Sequence, residues 1–284
     1  MGAGWPKTDD NAYKPPTLIH PTAVVGPEVE LSEGVEVGPF CLLRGKIRIG
    51  AGTRLISHVA VFGDTEICCN NVLHPFAVVG DEPQDISYRG GPRRVRIGDR
   101  NVLREGVTVH RGSERGEVTV VGNDNFLMQN SHVAHDCRVG NSVILGGGAL
   151  LAGWVEVGDM ALISGNCVVH QFVRIGRLAL MRGLSRTSRD IPPFCVADQT
   201  HTLRGINVVG VRRAGFSAQS IAALRRAFAL LFGTRRNLRI ALEQLGEPGG
   251  LAPEVEELAA FIRSSRRGVA FGRKAAAREE PEPA

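Results

Sequence analysis

The stretch IHPTAVVGPEVELSEGVEVGPFCLLRGKIRIG, residues 19–50, places an aliphatic side chain at every sixth position: Ile19, Val25, Leu31, Val37, Leu43 and Ile49. Carried on to Ile175, the same step visits 27 positions, and 24 of them are aliphatic. The exceptions are Asp85, Gly91 and Arg115, which fall in two interruptions, roughly 81–95 and 111–119. Glycine often follows the aliphatic residue, as at Gly26, Gly38, Gly50, Gly122 and Gly158. A period of six does not fit the 3.6-residue helical turn but fits short strands joined by tight turns. Glycine is expected at the corners because it turns the chain without a steric penalty. The expected fold is therefore an all-β parallel β-helix, a triangular prism with three hexapeptides and 18 residues per coil. Residues 18 apart then stack at strand spacing, roughly 4.8 Å. The interruptions are expected as loops thrown out from corners, where binding groups tend to sit.

Working outward, residues 1–18 read as an N-terminal extension and 19–190 as the β-helix. Pro192 and Pro193 break the repeat, and 191–272 read as a C-terminal helical domain that caps the open prism. One helix is predicted to begin after Ser217, with Ile221, Leu224, Phe228, Leu231 and Phe232 on its apolar face. A second starts near Pro253, with Glu254, Glu256 and Glu257 in its first turn and Leu258, Phe261 and Ile262 facing inward. Residues 273–284 read as a flexible tail.

Composition excludes several classes. The chain of 284 residues is 43% hydrophobic and 22% charged, which is globular rather than disordered. No apolar run reaches the ~18 residues that span a bilayer. The segment MGAGWPKTDDNAYKPP has no apolar core of a secretion signal. Six scattered cysteines without a CxxC pair suggest reduced thiols rather than a disulfide framework. A cytoplasmic protein is expected. Residues 201–284 carry 14 Lys+Arg against 8 Asp+Glu, whereas residues 1–200 are close to neutral. A basic C-terminal block favours an acidic partner. Nucleic acid is poorly supported, because basic residues are not interleaved with aromatics.

The most polar cluster in the repeat is Asn130-Ser131-His132-Val133-Ala134-His135-Asp136-Cys137. By the 18-residue ladder Gly153 lies one coil above His135, Gln171 two coils above it with His170 alongside, and Trp154 one coil above Asp136. An imidazole, a peptide N–H and an amide on one surface suit acyl transfer. The imidazole takes a proton from a hydroxyl near neutral pH, and the N–H stabilises a tetrahedral oxyanion. Asp136 can hold the imidazolium only if the chain turns between the two residues, since adjacent strand residues point to opposite faces. Two other readings stay open. His110, His132, His135 and His170 offer enough imidazoles for a zinc site of the kind that hydrates carbon dioxide, or the histidines simply decorate a non-catalytic scaffold.

With these residues in view the chain resembles the UDP-N-acetylglucosamine acyltransferases that begin lipid A synthesis. The resemblance rests on QDISYRGGPRRVRIGDRN, VTVHRG, NSHVAHDCRVGN, LAGWVEVGD, VHQF, DIPPF and GINVVGVRRAGFS. It implies a left-handed β-helix, a homotrimer with active sites between subunits, and transfer of an (R)-3-hydroxyacyl chain from acyl carrier protein to the 3-hydroxyl of the UDP-sugar, with no cofactor or metal. By resemblance His135 is the general base, aided by Asp136, and the Gly153 N–H is the oxyanion donor. Gln84 and Asp85 match sugar-contacting positions, and His132, His170 and Gln171 match the substrate cleft. Asn207 and Arg213 match nucleotide-binding positions, and Gly183, beside the atypical Met181 and Arg182, matches the position that limits acyl length. Trp154 stands where many members have histidine, Ser87 where lysine is common, Val209 for an acidic residue and Ala214 for a second arginine. Two missing cations weaken phosphate contact by ~1–3 kcal/mol each. A 3-amino sugar acceptor, or a paralogue of reduced activity, therefore stands as an alternative. Arg225, Arg226, Arg235, Arg236 and Arg239 are the expected dock for the acidic carrier.

Overall fold

The computed structural model describes residues 16–91, 93–113, 118–233, 237–246 and 249–272. The expected tail, residues 273–284, and the expected N-terminal extension up to residue 15 lie outside the described residues.

Each coil contributes strands of two to four residues to three sheets, which form the three faces of a prism. We call them first, second and third in the order the chain visits them. On the first face Ile19 pairs with Val37, Val37 with Leu55 and Leu55 with Leu73, each 18 residues on. Leu73 then pairs with Leu103 and Leu103 with Leu127, separations of 30 and 24, before the 18-residue step resumes at Leu145. The two interruptions thus add 12 and 6 residues, both whole multiples of the hexapeptide. Period six survives them in the sequence for that reason.

Of the 24 aliphatic positions, 21 form a column of side chains no more than 3% exposed. Burying each contributes about 1.5–3 kcal/mol. Ile19, Val25 and Leu31, the other three, lie at the open N-terminal end, and Ile19 is 49% exposed. Inside the corner between the third and first faces, buried amides climb with the coils. The Asn101 N–H donates to Asn71 Oδ1 at 2.8 Å, Asn125 N–H to Asn101 Oδ1 at 2.9 Å and Val143 N–H to Asn125 Oδ1 at 2.7 Å. Each amide oxygen satisfies a peptide donor that the turn leaves free.

One expectation needs correction. Gly26, Gly38, Gly50, Gly122 and Gly158 do not adopt positive φ; the left-handed corner positions are held largely by other residues, among them Phe40, Asn130, Asp136 and Trp154. These glycines are required by space. A β-carbon on Gly38 would lie 1.8 Å from the Ile56 carbonyl oxygen, and one on Gly122 2.6 Å from that of Gly140.

The outward-facing rows differ sharply. The third face presents Arg48, Glu66, Arg96, Val120, Arg138, Glu156 and Arg174 in register. The second presents Leu42, Ala60, Val78, Thr108, His132, Leu150 and Val168. The first presents the ion pair of Glu36 and Arg54, then Val72, Val102, Phe126, Ile144, Leu162 and Leu180. One side of the prism is therefore charged and two are largely apolar.

Beyond the prolines the first face continues. Cys195–Asp198 pairs with Leu180–Met181 at a separation of 16, and Thr202–Ile206 returns antiparallel beside it. The cap follows as α1 (Val208–Arg213), α2 (Ala218–Phe232), α3 (Leu238–Leu245) and α4 (Pro253–Arg263). Ser217 caps α2, its hydroxyl accepting from the Ser220 N–H. Ile221, Leu224, Leu231 and Phe232 are buried, as expected, and Phe228 is half-buried. In α4, Glu254 and Glu256 occupy the first turn, while Glu257 pairs with Arg177 at 2.7 Å and fastens the cap to the prism. Among the described residues no helix is long and apolar enough to cross a membrane, and all six cysteines are free.

Candidate active site

The corner between the second and third faces gathers most of the expected residues. After His132–Val133 the chain turns through His135 and Asp136, the latter at φ 60°, and leaves as Arg138–Val139. This turn meets the condition set by the sequence. Instead of pointing to opposite faces, the two side chains meet, with His135 Nδ1 and Asp136 Oδ2 2.8 Å apart. Both are almost fully buried. Such a bond fixes the ring and leaves Nε2 as the working nitrogen. Gly153 lies directly over the ring: a β-carbon there would fall 2.4 Å from Cε1 and 2.7 Å from Nε2. Among the described residues the Gly153 N–H has no hydrogen-bond acceptor, while its neighbour Trp154 donates to the His135 carbonyl at 3.1 Å. An imidazole nitrogen and a bare peptide donor thus lie within one coil spacing.

What holds Asp136 was not legible in the sequence. The Ser113 N–H donates to both carboxylate oxygens, at 3.2 and 3.0 Å, and the Asp136 N–H donates to Thr119 Oγ1 at 2.8 Å. Both partners belong to the second excursion, one coil below, whose 24-residue register brings them to this corner. Cys137 faces inward, and burial pushes its thiol up to about 12, so it is not a thiolate nucleophile near neutral pH.

His132 lies on the outer surface of the second face, its Nδ1 2.7 Å from Thr108 Oγ1 and its ring 5.1 Å, edge-on, from that of His110. Desolvation, with His110 and His135 nearby, lowers His132 to about 4, and burial also lowers His110. Both are neutral at pH 7. Gln84 and Asp85 sit on the first excursion, which leaves this same corner two coils below His135. Gln84 is exposed; Asp85 Oδ1 accepts from the Ser87 N–H and hydroxyl, both at 2.8 Å. Ser87 thus caps the aspartate locally. Arg111 anchors the excursion through the Gly80 carbonyl, Glu82 and the Tyr88 hydroxyl. His170 and Gln171 are exposed two coils above His135. Trp154 and Phe172 stack at 4.8 Å beside them, and Trp154 meets the His135 ring edge-on at 4.6 Å.

The remaining residues lie elsewhere on the protomer. Asn207 caps α1, accepting from the Gly210 N–H at 3.0 Å and donating to the Leu178 carbonyl at 2.9 Å, at the corner between the third and first faces. Arg213 is exposed at the end of the same helix, bordering a cavity of about 570 Å³ over the first face. Gly183 lies at the corner between the first and second faces, above Gly147 and Gly165 in the ladder, where a β-carbon would sit in ordinary contact, 3.6 Å from the Gly165 carbonyl oxygen. Arg225 and Arg226 on α2 and Arg239 on α3 are exposed, whereas Arg235 and Arg236 lie outside the described residues. Among the described residues no three His, Cys, Asp or Glu side chains are grouped to hold a metal ion.

A triangular coil with its polar corner and helical cap defines the class of hexapeptide-repeat acyltransferases. Residues 119–153 match the family described as bacterial transferase hexapeptide (six repeats), and residues 190–270 match that described as UDP N-acetylglucosamine O-acyltransferase, domain 2. The acyl-[acyl-carrier-protein]–UDP-N-acetylglucosamine O-acyltransferase of Thermodesulfovibrio yellowstonii is 45% identical over 253 residues, 88% of this chain and 98% of that protein. The solved UDP-N-acetylglucosamine acyltransferase of Francisella novicida is 32% identical with a TM-score of 0.85, covering 93% of this chain and 100% of its own. LpxA from Acinetobacter baumannii is 36% identical, also at 0.85, over 89% and 99%. The chain belongs to the UDP-N-acetylglucosamine O-acyltransferase family.

Proposed function

We propose that this protein transfers an (R)-3-hydroxyacyl chain from acyl carrier protein to the 3-hydroxyl of UDP-N-acetylglucosamine, the first step of lipid A biosynthesis, in the cytoplasm. What carries the proposal is the His135–Asp136 pair beneath the free Gly153 N–H. His135 Nε2 removes the proton of the sugar hydroxyl while its Nδ1–H donates to Asp136. The oxygen attacks the thioester carbonyl, and the Gly153 N–H receives the developing oxyanion. Collapse breaks the carbon–sulfur bond, and the imidazolium returns its proton to the leaving thiolate. No metal and no acyl-enzyme enter this sequence.

The surface pattern supports reading the protein as a homotrimer. The first and second faces are largely apolar on the outside and the third is charged. Packing the first face of one protomer against the second of the next would bury both in a head-to-tail contact, the kind that closes into a ring. In such a contact we take the corner bearing His135, Gln84, Asp85, His132, His170 and Gln171 to face α1 of the neighbouring copy, where Asn207 and Arg213 lie. A diphosphate bound by Arg213 then reaches toward Gln171, and the sugar toward Asp85 and His135. Gly183, at the head of a bare ladder, limits the acyl chain. Arg225, Arg226 and Arg239 attract the acidic carrier, an attraction that salt screens.

The test is an assay crossing carrier-bound 3-hydroxyacyl chains of several lengths with the hydroxyl and 3-amino forms of the sugar nucleotide. The proposal expects preference for the hydroxyl acceptor. Transfer to the amino form alone would reassign the acceptor.

A further inference from the structure

Beside the candidate base, between the third face and the cap, lies a groove of about 680 Å³ that the steps above leave unused. Its floor is the stacked pair Trp154 and Phe172, which begins at the His135 imidazole itself. Its walls carry the guanidinium groups of Arg138, Arg266 and Arg267. Arg267 donates to the Ser188 carbonyl at 2.9 Å and lies 3.4 Å from His170 Nδ1. Arg138 and Arg266 are exposed, and neither side chain has a hydrogen-bond or ion-pair partner among the described residues. Two of the groove's carboxylates are engaged: Asp136 by His135 and Ser113, and Asp190 by Arg174 and Ser265. Glu156 stands in register between Arg138 and Arg174 and lowers the positive charge without cancelling it.

We infer that this groove takes the phosphopantetheine arm that delivers the acyl thioester, with Arg138 and Arg266 on its phosphate and the Trp154–Phe172 platform under its amides. The inference rests on the acyl-transfer reading and adds the donor's route. Two substrates must reach one imidazole. The nucleotide is assigned to the side shared with the neighbouring protomer, so the donor is left the third face, which is charged and stays open to solvent. An arm of amides and methylenes ending in a phosphate suits an aromatic strip that leads to unpaired guanidinium groups, which bind phosphate in bidentate fashion. Guanidinium groups also suit the sugar nucleotide's diphosphate, so the experiment must separate the two sources.

Two small donors, the 3-hydroxyacyl thioesters of phosphopantetheine and of pantetheine, differ only in the phosphate and need no carrier protein. The parent is expected to favour the phosphorylated donor at least tenfold in kcat/KM, and the Arg138→Gln/Arg266→Gln double variant to lose that preference. In a Trp5→Phe background Trp154 is the only tryptophan. Phosphopantetheine should then change its fluorescence saturably, and the double variant should bind at least tenfold more weakly. Equal use of the two donors by the parent, or a double variant whose KM rises for the sugar nucleotide instead, overturns the inference. Absence of transfer from either donor, with saturable and arginine-dependent binding retained, keeps the groove and rejects the acyl-transfer reading. Absence of binding as well rejects the groove.

Discussion

Gly153 covers the His135 imidazole so closely that a β-carbon there would lie 2.4 Å from Cε1. The absence of a side chain therefore does two things. It leaves the peptide N–H bare beside the base, and it leaves room for the ring to pair with Asp136. Gly153→Ala is expected to displace the imidazole and lower kcat by about 10²-fold or more, the scale of a misplaced catalytic group. The KM for the sugar nucleotide should change far less. Steady-state kinetics check this, and an unchanged kcat would mean that the ring has room the structure does not show.

Thr119 holds the turn that makes the pair possible. Its hydroxyl accepts the Asp136 N–H at 2.8 Å in a buried setting. Thr119→Val keeps the shape and removes the acceptor, which costs about 1–3 kcal/mol for an unsatisfied donor. Denaturant unfolding should report that loss, and kcat should fall with it as the Asp136 carboxylate loosens.

Two glycines separate packing from function. Gly38→Ala places a methyl group 1.8 Å from the Ile56 carbonyl oxygen, and overpacking of this kind costs about 1–3 kcal/mol. The nearest atom to a β-carbon on Gly183 is 3.6 Å away, so Gly183→Ala should alter stability by less than ~0.5 kcal/mol. The same change should shorten the preferred acyl chain. Thermal unfolding and a chain-length series measure the two effects.

His132 makes stability depend on pH. Its folded value is about 4, against an ordinary 6.5. Between those values the unfolded chain binds the proton and the folded chain does not. Stability is thus complete above about pH 6.5 and is lost as the pH falls toward 4, by on the order of 2–3 kcal/mol. His132→Gln should flatten the fall in Tm across that window. An equally steep fall in the variant would shift the cause to His110, which burial also lowers.

The prism was readable because each coil spends one large side chain per face on the core, and because both insertions are multiples of six, so Ile97 and Val121 stay in step with Ile67. The stacking of Gly153 over His135 followed from the same arithmetic. The glycine positions were legible but their cause was not, since contact with the next coil leaves no mark in a single strand of sequence. Ser113 and Thr119 were hidden because their part in the site depends on where the excursion re-enters the register. The helix Leu238–Leu245 was missed, a short segment between the two with clear caps. The Trp154–Phe172 stack was implicit in the 18-residue ladder, yet the near-parallel setting of the two rings, 17° apart, depends on side-chain rotation that the ladder does not fix.

The central claim is that His135 moves the proton in acyl transfer. The most direct measurement is the rate of 3-hydroxyacyl transfer to UDP-N-acetylglucosamine by purified His135→Ala, with its Tm and oligomeric state recorded alongside. We predict an assembled protein of near-parental Tm whose rate falls by about 10²–10⁴-fold. Transfer at the parent's rate by the assembled variant would contradict the account.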